Sequence, residues 1–163
     1  MSVQRLGRLD VGLEPVPGGA RVTLAGRIDD ASPLGELVAA IPAGDVVIDT
    51  SGVAFVNSVG MREWIRLVRV LRDRGLVTLE RVSDVLMKQM NLIPELHTSV
   101  RVLSFHAQYV CNSCGAEAAP VVDAVEHAAG LARMQAPNMS CPECGTAMEL
   151  GDFPERYLLM FRA

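Results

Sequence analysis

Long hydrophobic runs are missing from this 163-residue sequence. No stretch approaches the ~18 uninterrupted apolar residues of a membrane-spanning helix, so none is expected. The opening residues MSVQRLGRLD also lack the roughly 7–15-residue apolar core of a secretory signal peptide. GxxxxGK[ST] and GxGxxG loops, which cradle phosphates, are absent, and no nucleophile elbow surrounds Ser58. His97, His106 and His127 have no evident nucleophile to serve. These absences point to a soluble, cytoplasmic protein without catalysis of its own. Basic charge is scarce in one region only. Residues 109–163 carry 3 Lys+Arg against 7 Asp+Glu, whereas residues 1–108 carry 12 of each. Nucleic-acid binding rests on a basic surface, and that acidic end has the wrong sign for it.

What is present suits a packed core. Half the residues are hydrophobic and 21% are charged, far from a disordered composition. Residues 8–14 and 20–28 read as strands joined by a turn at Pro17-Gly18-Gly19. Asp30-Ala31-Ser32-Pro33 supplies a cap and an early proline for a helix over LGELVAAI. Residues 45–49 (DVVID) suit a buried parallel strand, and the loop TSGVAFVNSVG follows. A long helix is predicted over 59–74, with Trp64, Leu67, Val68 and Leu71 on one face and Arg62, Arg66, Arg69 and Arg72 on the other. Those arginines read first as a solvated face, diluted by Glu63 and Asp73. Two further readings are a grip on acidic or phosphate groups and a contact with the acidic tail. A strand at 77–81, a helix over 85–92 behind Ser83-Asp84, and a strand at 100–105 complete a mixed sheet with crossover helices.

The character changes beyond residue 108. Five of the seven aromatics lie in or beside this stretch, and so do all four cysteines. Cys111-Asn-Ser-Cys114-Gly115 and Cys141-Pro-Glu-Cys144-Gly145 are two CxxCG turns, with residues 115–140 between them. Two cysteines three apart aim their sulfurs at one ion, and the following glycine tolerates the positive φ that lets N–H groups approach the thiolates. In a reducing compartment such pairs read as metal ligands before disulfides. Four thiolates close the coordination sphere, so one structural zinc is expected. Iron, held by the same ligands in an electron carrier, is the competitor, and a redox dithiol is the weakest reading. His127 would be superfluous as a ligand. Between the cysteine pairs, VVDAVEHAAGLARM reads as a short helix, and MELGDFPERYLLMF as a turn and a closing strand. The expected division is 1–108 for the α/β domain and 109–163 for the four-cysteine module.

The block VVIDTSGVAFVNSVGMREWIRLVRVLRDRG resembles the STAS domain of anti-sigma-factor antagonists, in which a strand leads through SGVxFxDSSG into a helix ending LRxRG. LAGRIDDASPLGEL is similar to that family's LxGELD segment, and the resemblance spans roughly residues 8–106. The tail resembles a rubredoxin-like zinc ribbon, and bacterial proteins join the two. The resemblance implies a STAS-like mixed β-sheet with helices and a protein partner, a kinase-like or other signalling protein, met by Asn57, Ser58, Val59, Gly60, Met61 and Arg62. It also implies a phosphoserine switch, and here the chain departs from the pattern. Val59 stands where the phosphorylated serine belongs, and Asn57 replaces the acidic residue. Ser58 reads first as a helix cap and only secondarily as a displaced phosphosite. Met61 and Arg62 are expected to face outward. The alternative to protein docking is binding of nucleic acid or the transcription machinery through the ribbon.

Overall fold

The computed structural model describes residues 2–163. Strands β1 (Ser2–Leu6), β2 (Leu9–Val16) and β3 (Gly19–Ile28) form an antiparallel meander. A 3-10 turn (Leu34–Glu36) and helix α1 (Leu37–Ala40) carry the chain across to β4 (Asp45–Val56), parallel to β3. Helix α2 (Ser58–Arg74) leads to β5 (Val77–Glu80), and helices α3 (Asp84–Asn91) and α4 (Pro94–Ser99) lead to β6 (Arg101–Val102). The six strands lie in the order β1-β2-β3-β4-β5-β6, antiparallel at one side and parallel at the other. The chain is therefore a mixed α/β fold, as the alternation of elements predicts.

Period-two burial explains the strands. In β2 the buried residues Leu9, Val11 and Leu13 alternate with Asp10, Gly12 and Glu14. Register then aligns apolar rows across strands, with Leu13 opposite Val22, Val22 opposite Ile48 and Ile48 opposite Leu79. On α2, Met61, Trp64, Leu67, Val68 and Leu71 are buried at helical spacing. Large apolar side chains removed from water contribute about 1.5–3 kcal/mol each, which makes this layer the main source of stability.

Several boundaries differ from expectation, each for a local reason. The segment after Asp49 is strand, not loop: β4 continues to Val56 because β3 keeps pairing with it as far as Ile28, across two register shifts. The cap expected before α1 does not form. Ser32 Oγ instead donates to the Arg27 carbonyl at 2.7 Å, and Asp29 accepts from Ala31 N at 3.0 Å. The Arg74 guanidinium closes the other end by donating to the carbonyls of Val38 and Ile41. Pro94, a stop signal for α3, also opens α4, where its missing N–H has no helical partner to lose.

Beyond β6 the chain forms β7 (Ser104–His106), β8 (Tyr109–Val110), β9 (Glu117–Ala118), β10 (Val121–Asp123), helix α5 (Ala128–Ala132), β11 (Met139–Ser140) and β12 (Ala147–Leu150). The predicted helix over VVDAVEHAAGLARM is mostly absent. Val122 and Ala124 are buried while Val121 and Val125 are exposed, a strand alternation that pairs β10 with β7. The predicted closing strand ends at Leu150, after which two 3-10 turns, Pro154–Arg156 and Leu159–Phe161, bury Tyr157 and Leu158. These turns tie the tail to the helices. Buried Asn91 of α3 donates to the Glu155 carbonyl and accepts from Met160 N at 3.1 Å, and Phe161 stacks on Phe105.

Candidate metal centre and helix tip

Each cysteine pair sits in the turn of its own hairpin. β8 and β9 flank Cys111 and Cys114, and β11 and β12 flank Cys141 and Cys144. β8 and β12 pair with each other, which sets the two turns side by side in one four-stranded sheet. The turns are near copies. Cys111 N donates to Ala116 O and Cys141 N to Thr146 O, both at 2.8 Å. Gly115 N and Gly145 N return to the carbonyls of Cys111 and Cys141 at φ values of 77° and 76°. A side chain is strained at such φ, so the glycines set the tightness of the turn. Tyr109, whose hydroxyl donates to Pro137 O at 2.7 Å, anchors β8 against the loop before β11, and burial pushes its phenol up to about 12.

The sulfurs converge. Cys111 Sγ lies 3.5 Å from Cys144 Sγ, Cys114 Sγ lies 3.7 Å from Cys141 Sγ, and all four fall within 4.8 Å of one another. A tetrahedron with metal–sulfur bonds near 2.3 Å has edges of about 3.8 Å, so the donors fit a tetrathiolate ion without rearrangement. The spacing is too wide for an S–S bond, which is about 2.05 Å. All four cysteines are free thiols.

The electrostatics agree with that geometry. The Thr146 hydroxyl, 3.2 Å from Cys111 Sγ and 3.0 Å from Cys144 Sγ, is the main cause that draws the Cys111 thiol down to about 6 and also lowers that of Cys144. The N–H of Ala116 favours a thiolate at Cys114, but desolvation and the three neighbouring sulfurs outweigh it and push that thiol up to about 12. Four thiolates packed this closely repel one another without a cation, and a divalent ion removes the conflict. Thr146 went unnoticed in the sequence. Its signal is its place just after the second CxxCG.

The helix tip is built differently. Asn57, not Ser58, caps α2, its Oδ1 accepting from Gly60 N at 2.8 Å. A Cβ on Gly60 would run into the carbonyl of Ile28, so glycine lets the first turn seat directly on the end of β3. Beside that contact Asp29 is buried, paired with Arg27 at 3.3 Å and Arg8 at 3.5 Å. Its carboxyl is held below the usual range, chiefly by the Ala31 N–H, against the cost of burial. Met61 does not face outward. It is 5% exposed, because positions 61, 64 and 68 fall on the one apolar stripe. Ser58, Val59 and Arg62 are exposed, and they remain as the outward face of the tip.

The arginine face meets neither the tail nor a shared site. Arg69 donates to Glu95 of α4 through two of its guanidinium nitrogens, Nε and Nη2, the latter at 2.7 Å, and Arg66 pairs with Glu63 at 2.8 Å. His106 Nδ1 lies 2.7 Å from Ala119 O and His97 Nε2 lies 3.0 Å from Asn91 O. His127 stands 3.9 Å from Glu126 and belongs to no metal-ligand cluster among the described residues. No helix is long and apolar enough to cross a membrane. Neither a protein-family model nor a curated protein matches the chain.

Proposed function

We propose that this chain is a non-enzymatic bacterial regulatory or scaffold protein of STAS type. It works in the cytoplasm and docks a protein partner, such as a kinase-like signalling protein, through the start of α2. The observation that carries the reading is the composition of that tip. Asn57, Ser58, Val59 and Arg62 sit where β4 hands over to α2, and the position of the family's switching hydroxyl holds a valine 39% exposed. A phosphate there would be favoured by free helix N–H groups and would disrupt a packed interface. With valine the contact is constitutive. The four cysteines hold one structural zinc, since a closed tetrathiolate leaves no coordination position for substrate. Iron in the same site would colour the purified protein, and zinc leaves it colourless. The acidity of residues 109–163 supports protein docking over nucleic-acid binding.

Affinity capture from the native host tests the reading. Val59→Asp and Arg62→Glu are expected to lose a partner retained by the parent protein while the melting temperature stays within about 2 °C, because both residues are solvent-facing. Equal capture by parent and variants would remove the tip as the interface.

A further inference from the structure

The end of β4 and the flank of α3 enclose a cleft of about 330 Å³. Phe55 and Val56 form one side, Val85 and Leu92 the other, and Lys88 and Arg156 supply its charge. The Arg27 guanidinium packs over the Phe55 ring of that apolar wall, 3.7 Å from its centroid. Leu92 stands at the mouth, 67% exposed although it is a large aliphatic residue. The charge is unbalanced. Lys88 Nζ and Arg156 Nε share one carboxylate, Asp152 Oδ2, at 3.8 Å each. That is beyond hydrogen-bond length, and neither cation donates a side-chain hydrogen bond to any described residue. The Lys88 side chain is only 23% exposed and otherwise faces the Tyr157 ring at 5.4 Å. A covered ammonium with free donors beside a second cation suits a carboxylate, which forms stronger hydrogen bonds to charged donors than a neutral acceptor does.

We propose that this cleft is a specificity pocket for a protein partner's segment that sets a large apolar side chain beside an acidic one. The apolar group packs on Phe55, Val85 and Leu92, and the carboxylate bridges Lys88 and Arg156. The half-open shape suits the side chains of a passing peptide. The inference rests on the docking role of the α2 tip, since Val56 runs directly into Asn57 and one partner can touch both. It adds a condition: Arg156 lies in the segment after the second cysteine pair, so the pocket is complete only while that segment is folded.

The test is selection of dodecapeptides from a random library on the metal-loaded full chain, followed by fluorescence anisotropy with the peptides recovered. Recovered sequences should share Leu, Ile, Met or Phe next to Asp or Glu. Changing that acidic residue to its amide should weaken binding about tenfold, and the protein variant carrying Lys88→Gln and Arg156→Gln should weaken the unmodified peptide equally. Combining the two changes should cost little more than either alone, the signature of a direct pair. Peptide affinity reports on the pocket, whereas capture of the whole partner by Val59→Asp reports on the α2 tip, so failure of the tip as an interface is read separately. Recovery of basic peptides, no shared motif, or unchanged affinity in the double variant overturns the pocket. If that variant misfolds, the acid-to-amide change in the peptide decides alone.

Discussion

The sheet domain and the cysteine module order their backbones by opposite means. Strands β2 to β5 align rows of Leu, Val and Ile beneath α1 and α2, and that burial is the main source of the domain's stability. The module has three two-residue strands, β8, β9 and β11, and a one-turn helix. Its large buried apolar side chains are Tyr109, Val122, Leu131, Met148, Tyr157 and Leu158, far fewer than those of the sheet domain. An ion held at the convergence of the two hairpin turns would add to that small core, and zinc bound by such thiolates would contribute about 10–16 kcal/mol. The sharpest way to break the comparison is to remove the ion. Cys141→Ser, or chelation of the parent protein, is expected to unfold residues 109–163 while the sheet persists. Limited proteolysis should cut within the module, and fluorescence of the sole tryptophan, Trp64 on α2, should stay native. A module that resists protease without metal would mean its own packing suffices.

The converse experiment targets the layer that the ion does not support. Trp64 is fully buried, and its Nε1–H has no hydrogen-bond partner among the described residues. Trp64→Ala should destabilise the sheet domain by about 3–5 kcal/mol, seen by circular dichroism in urea, with one metal still bound per chain. Trp64→Phe should be milder, because it keeps most of the apolar volume and removes the unpartnered N–H. Loss of metal in the alanine variant would show that the module depends on the sheet more than the sheet depends on it.

Legibility in the sequence divided along the same line. Apolar periods marked α2, β2 and β3, because a half-buried element more than seven residues long repeats its period enough times to be seen, whereas β4 showed only its apolar first half, residues 45–49. The two CxxCG turns marked the metal donors, since ligand chemistry needs those residue types at that spacing. Short elements stayed hidden. The two-residue strands of the module are set by pairing across the hairpins, and β10 by its register with β7. Met61 extends the apolar stripe of Trp64, Leu67, Val68 and Leu71 back into the first turn of α2, where the capping residues obscure the period. Asn57 carried the cap because its side chain, one position before the helix, reaches Gly60 N.

A smaller effect separates the two regions by pH. Asp49, on the sheet beneath Arg81, is 2% exposed. Burial alone would raise its carboxyl, but the Ser51 N–H and the Arg81 guanidinium outweigh that and hold it below the ordinary value of 3.8. A group whose folded value is depressed adds stability above its unfolded value and loses it as pH falls through the folded one. The Asp49 contribution should therefore be complete above about pH 5 and fade below 3.8. Asp49→Asn removes it at every pH, so parent and variant should differ most near neutrality and converge in acid, measured by urea unfolding of the Trp64 signal. The module should respond earlier on the same descent, because protons compete with the ion for four thiolates. An Asp49→Asn difference that stayed constant down to pH 3 would assign the effect to packing and not to charge.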